Sequence, residues 1–248
     1  MSGIKELFDT YGRNARLYPA VLLMVPLFAL PGVLSGVEKL SRGIAMGIVG
    51  VALLYALTHW VRTLGRRAEK QLLAKWGGFP TTRWLLWHDR TLDFTTKRRY
   101  HDYLRANGLE MPSVEEERTD EAGAREKLAS AVTWLRINRR GESHKILHGE
   151  NASYGFRRNL YGAKPVGIAI SLAASGIGTW SAMVTVMQIA APTIAQALDT
   201  IPLDVRVGLT VSFVSLLIWI FVVTQHWVLE AAELYAKALL ETCDSTAD

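Results

Sequence analysis

Two histidines one helical turn apart, His144 and His148 in "HKILH", stand just before Glu150, and their spacing invites chemistry. Imidazoles at i and i+4 can share a zinc ion. The segment lacks the glutamate of an HExxH motif and lies close to a predicted loop. Two solvated histidines are therefore expected, with no metal and no cofactor. The chain also lacks a GxSxG elbow, a GxxxxGK[ST] phosphate loop and a CxxC pair, so no catalytic residue is assigned and an enzyme is not expected. The lone Cys243 permits no internal disulfide and agrees with a reducing compartment.

Cations offer a second kind of chemistry. Arg62, Arg66, Arg67 and Lys70 come first, followed by Lys97, Arg98 and Arg99, then Arg136, Arg139 and Arg140, and finally Arg157, Arg158 and Lys164. "KRRYHDY" interleaves charge with aromatic rings, the mixture that binds single-stranded nucleic acid through phosphates and stacked bases. Anionic lipid headgroups attract the same cations by roughly 1 kcal/mol each. A lipid-facing or solvated run and an anionic ligand therefore both stay open. Lys97, Arg98, Arg99, Arg139, Arg140, Arg157, Arg158 and Lys164 are the candidate ligand residues.

Hydroxyls offer a third. In "VGIAISLAASGIGTWSAMVTVMQIA", Gly167, Ser171, Ser175 and Thr179 recur every four residues, and Ala174, Gly178 and Ala182 form a second small row. Small residues at that spacing let helices approach closely, and hydroxyls can bond across the contact. Alternatively Ser171, Ser175 and Thr179 line a pore, which would require a symmetric ring of subunits.

These residues must be positioned by elements, and the charge layout supplies them. Residues 17–37, 43–61, 165–198 and 207–229 contain no Asp, Glu, Lys or Arg. About 20 apolar residues of helix cross a bilayer core. Four transmembrane helices are expected, near 17–36, 43–61, 166–191 and 207–229. Pro19, Pro26 and Pro31 interrupt the first, which neighbouring helices can tolerate by satisfying freed carbonyls. The segment 62–164 holds 21 of the 28 cations against 13 acidic residues, and Lys5, Arg13 and Arg16 lie on the same side of the first span. Positive charge marks the cytoplasmic face, so both termini and the 62–164 region are placed in the cytoplasm.

The expected organisation is 1–61 with two spans, a basic helical cytoplasmic domain over 62–164, two further spans over 165–229, and a cytoplasmic tail over 230–248. The whole is an all-α integral membrane protein. Within the insert, the second helix runs on from 62 toward 80 until "GGFP" stops it. One or two short helices end at Gly108, Ser113 and Glu116 have capping-box spacing, and a helix covers about 120–138. No alternating strand pattern is seen.

"ENASYGFRRNLYGAKPVG" precedes the third span. Gly155, Gly162 and Gly167 sit among Tyr154, Phe156 and Tyr161, with Pro165 fixing the approach to the membrane. Beyond a basic fringe, this composition suits a hinge that a phosphorylated ligand could pull. The stretch "GENASYGFRRNLYGAKPVGI", together with "YGRNARLYPAVLLMVP" at the first span, resembles the SMODS-associated four-transmembrane effectors of bacterial anti-phage operons, and the Hailong channel subunit is similar. The resemblance covers the layout and these two motifs. It implies a homo-oligomeric channel or pore of the bacterial inner membrane whose state is set by a nucleotide or short oligonucleotide from a neighbouring nucleotidyltransferase. The positions that match are Glu150, Asn151, Tyr154, Gly155, Arg157, Arg158, Asn159 and Lys164. A non-conducting membrane scaffold that docks a cytoplasmic partner through 83–140 is the alternative.

Overall fold

Pro19 shapes the first helix. It has no N–H to give the carbonyl four residues back, that of Ala15. The backbone opens into a π-helical turn over Arg13–Leu17, where the Tyr18 N–H reaches the Arg13 carbonyl. Helix α1 (Tyr18–Phe28) then follows. The computed structural model describes residues 12–30, 44–140, 144–188 and 193–244.

Helix α2 (Ile44–Trp76) carries the apolar run of the expected second span and continues into polar sequence, as its periodicity predicts. Gly77 and Gly78 end it at φ 70° and 112°, angles that L side chains rarely adopt. Next come α3 (Pro80–Trp84), α4 (Phe94–Ala106), α5 (Val114–Thr119) and α6 (Glu121–Asn138). Gly108 (φ 83°) lies just beyond α4. The Ser113–Glu116 capping box forms and opens α5. Helices α7 (Lys145–Val186), α8 (Ile194–Thr200), α9 (Leu203–Leu217, extended by a π turn over Ile218–Val222) and α10 (Gln225–Glu241) complete the chain. The fold is all-helical, and no strand occurs among the described residues.

Three stretches differ from their sequence expectation. The third apolar helix begins at Lys145, not near 166, so Gly155, Gly162, Pro165 and Gly167 all lie inside one continuous helix. A helical glycine costs only about 1 kcal/mol relative to alanine, which close packing offsets. The fourth apolar run, expected as one helix over 207–229, breaks at Val223 and Thr224. Thr224 Oγ1 accepts the Trp227 N–H at 3.2 Å, which starts α10. The stretch expected as a tail, 230–248, is helical to Glu241 and buries Ala231, Ala232, Tyr235, Ala236, Leu239 and Leu240. Of the first expected span, residues 31–36 lie outside the described residues, as do 189–191 of the third.

The chain divides into two compact units, Met1–Ala68 with Gly155–Trp227 and Glu69–Tyr154 with Val228–Asp248. The first is built on Ala20, Leu23, Val61, Leu160, Ala163, Trp219 and Val223. Leu85, Leu104, Leu128, Leu135 and Leu239 are among the buried residues of the second. Among the described residues two helical stretches are long and apolar enough to cross a membrane, Lys145–Val186 and Leu203–Val222.

Candidate functional site

The two motifs singled out in the sequence meet at Asn159. Its side chain is buried, and Nδ2 donates to the Ala15 carbonyl at 2.7 Å. That carbonyl is the one that Pro19 leaves without its α-helical donor. The amide oxygen of Asn159 accepts from Arg158 at 3.3 Å. Beneath it α2 and α7 touch backbone to backbone. A Cβ on Gly162 would stand 2.5 Å from the Gly65 nitrogen, and one on Gly65 would stand 2.8 Å from the Asn159 Cα. Glycine is needed here for close approach.

Of the three cations in this stretch, two hold main chain. Arg157 donates to the Trp227 carbonyl at 2.9 Å, with its guanidinium 5.0 Å from the Trp227 ring centroid. Lys164 donates to the carbonyls of Ile220 and Val223 at 3.0 and 2.9 Å. Together they flank the break at Val223 and Thr224, where helix-end carbonyls lack helical partners. Of the expected hinge residues, Gly155 is buried within α7, Gly162 faces Gly65, and Gly167 lies against the Trp219 ring.

Gly178 packs on Leu209 much as Gly167 packs on Trp219. The two contacts fix an antiparallel register for α7 and α9, and it sets Ser175 opposite Ser212 and Ser171 opposite Ser215. Ser171 and Ser212 are fully buried, and no described residue partners the hydroxyls of Ser171, Ser175 or Ser212. Thr179 is exposed and donates to the Ser175 carbonyl at 2.8 Å.

In the second unit the basic candidates separate. Lys97 is buried at 2% exposure, and its ammonium donates to the carbonyls of Leu86 and Asp89. His101 Nε2 donates to the Leu85 carbonyl at 2.8 Å, with its ring 4.2 Å from that of Trp87. The Glu117 carboxylate accepts the N–H groups of Trp87 and His88 at 2.7 and 3.0 Å. It also meets His88 Nδ1 at 2.8 Å. Three buried ionisable side chains thus hold the turn over 85–89. Burial lowers the pKa values of both Lys97 and His101. Lys97 faces inward, away from any ligand in solvent.

Arg99 makes a two-pronged pair with Asp244 at 2.5 and 2.8 Å, and this hydrogen bonding holds the Asp244 carboxyl below its usual range. Arg139 donates to the Tyr103 hydroxyl and, at 3.2 Å, to the Thr242 carbonyl. Arg98 is exposed, 3.8 Å from Asp102, and Arg140 is exposed. His148 lies in the first turn of α7. The described residues contain no cluster of three His, Cys, Asp or Glu arranged to hold a metal.

Sequence reasoning placed Asn159 only within a matching motif and missed Ser212, Glu117 and Thr224. Pro19 was the available signal for Asn159, because a proline that follows a helical turn leaves the carbonyl four residues back without its α-helical donor. Thr224 had the ordinary N-cap residue type, three positions before Trp227. No protein family, curated protein or solved structure matches the chain.

Proposed function

We propose that this chain is a multi-pass protein of the bacterial inner membrane with four spans and cytoplasmic termini. It assembles as a homo-oligomeric ion channel or pore of an anti-phage system, gated by a nucleotide or short oligonucleotide from a neighbouring nucleotidyltransferase. Membrane residence is supported by the apolar windows of α7 and of α9 with its π turn, buried only 28% and 22% within the chain. Leu172, Trp180, Phe213 and Phe221 are among the large apolar side chains left outward. A soluble core helix would be mostly covered.

The observation that carries conduction is the row of buried serine hydroxyls without partners. A hydroxyl in apolar surroundings costs about 1–3 kcal/mol unless it is hydrogen-bonded. In the arrangement described the row is closed within the α7–α9 contact, and water admitted along it on opening would satisfy Ser171, Ser175 and Ser212. For the ligand, exposed Arg98 and Arg140 in the second unit are the cations best placed to meet phosphate. Gating from 1:99 to 99:1 requires about 5.5 kcal/mol of differential binding, which several phosphate contacts around a ring could supply.

The test is induction in a bacterium with a voltage-sensitive dye, with and without the neighbouring nucleotidyltransferase, for wild type and Ser175→Leu at matched membrane levels. Depolarisation that the leucine abolishes supports the channel. Undiminished depolarisation in Ser175→Leu removes the serine row from the conduit. No depolarisation under either condition favours the non-conducting scaffold.

A further inference from the structure

The first unit contains a cleft of about 320 Å³, whose lining includes Leu22 and Val25 of α1, Leu160 of α7, and Val214 and Trp219 of α9 and its π turn. That volume is at the small end of ligand sites, which hold roughly 300–1,000 Å³. The polar side chains in the lining are Thr210 and Ser215, and the Thr210 hydroxyl is turned back to the Arg206 carbonyl at 2.9 Å. Hydrocarbon suits this interior better than charge. From Thr210 to Val223 the helical rise gives a length of about 20 Å.

The Val223 end differs from the rest. Lys164 stands one turn beyond Leu160 on the same face of α7, with its ammonium on the Val223 and Ile220 carbonyls. Those bonds use two of its three donors, and the third remains for a ligand. Tyr18, one turn before Leu22 on α1, is 46% exposed, as rings at a membrane interface commonly are. An apolar slot with a cation and a phenol toward one mouth complements a molecule with a long tail and an anionic head.

We propose that this cleft holds one acyl chain of an anionic phospholipid, with the headgroup phosphate on Lys164. The inference rests on the membrane reading. Carbonate extraction of membranes checks that reading separately, since release of the chain would defeat membrane residence itself.

For a retained chain, the full-length protein is purified in detergent and examined by native mass spectrometry with phosphatidylglycerol or phosphatidylethanolamine added. Wild type should keep phosphatidylglycerol preferentially. Lys164→Gln should reduce that preference about fivefold, the loss expected for one cation near a headgroup. Val214→Trp should fill the slot and lose both lipids, while Leu217→Trp, outside the lining, keeps them. Circular dichroism confirms that each variant remains helical, and a misfolded Val214→Trp is replaced by Val211→Phe. Equal retention of the two lipids by wild type would overturn the proposal, as would lipid binding unchanged in the slot-filling variant. Loss of oligomers with unaltered lipid binding in that variant would assign the cleft to a second copy instead.

Discussion

Asn159 donates to the carbonyl of Ala15 across 144 positions of sequence, the carbonyl to which Pro19 has no N–H to give. The stretch leading into the first apolar helix is thereby tied to the helix that carries the third. Asn159→Leu should cost about 1–3 kcal/mol, the usual penalty for stranding a buried acceptor. In the background of Pro19→Ala, residue 19 supplies its own N–H and the cost of Asn159→Leu should shrink. A double-mutant cycle on thermal unfolding in detergent measures the coupling. Additive effects would show that the bond contributes nothing.

The glycine contact between α2 and α7 makes a steric prediction. Gly162→Ala drives a methyl onto the Gly65 backbone, and overpacking of this kind costs about 1–3 kcal/mol. Gly176→Ala on the same helix meets open space within 4 Å and should be neutral or slightly stabilising. Equal unfolding midpoints for the two variants would mean that the close crossing does not persist in the purified protein.

Lys97 and Arg98 are neighbours in sequence with opposite expected consequences. Lys97→Met strands the Leu86 and Asp89 carbonyls, so it should destabilise the protein by about 1–3 kcal/mol. Arg98→Glu changes only an exposed residue and should leave the unfolding midpoint near wild type. If Arg98 contributes to the proposed ligand site, Arg98→Glu should instead weaken retention of radiolabelled oligonucleotide. A Lys97→Met protein of full stability would show that the buried lysine does not hold the turn.

His101 gives a dependence on pH. Its folded pKa lies below the ordinary 6.5, chiefly through burial; the hydrogen bond to the Leu85 carbonyl opposes the shift, Arg105 and Lys97 add to it, and Glu117 opposes it. The unfolded chain therefore takes up the proton first. The stability of the neutral form is fully present above about pH 6.5 and declines as pH falls toward the folded value. His101→Gln keeps a donor for the Leu85 carbonyl but does not titrate. Its unfolding midpoint should fall less than that of wild type between pH 7 and pH 5. Parallel curves would exclude His101 as the sensitive group.

Local rules and long-range packing divide what the sequence revealed. The Ser113 capping box, the Gly77–Gly78 stop and the helix over 121–138 depend on neighbours within a few positions, and all three formed as expected. The glycines of α7 follow no such rule. They resemble turn punctuation, yet Gly162 answers to Gly65 and Gly167 to Trp219, about 97 and 52 positions away. Charge misled in the same way, because Lys97 and Glu117 find their partners in the main chain of one turn, which no spacing pattern discloses. Helix α10 hid its buried face behind alanines, whose weak apolar signal beside charged residues reads as tail. Among the site residues, the serine row was visible on α7, while its opposite member Ser212 required the α7–α9 register.

Arg157 and Lys164 lead to the last prediction. Both bind carbonyls around the break at Val223 and Thr224, so neutral substitutions should loosen that segment as much as charge reversal does. Arg157→Gln or Lys164→Met should raise amide hydrogen exchange at Val223 to Trp227 by about tenfold, the equivalent of losing roughly 1.4 kcal/mol of local stability. Arg157→Lys keeps the charge but gives up the planar fork that both stacks on Trp227 and donates to its carbonyl, and should resemble Arg157→Gln. Cations serving only as a basic fringe toward phosphate would behave otherwise. Arg157→Lys would then match wild type, and exchange at 223–227 would stay unchanged in every neutral variant.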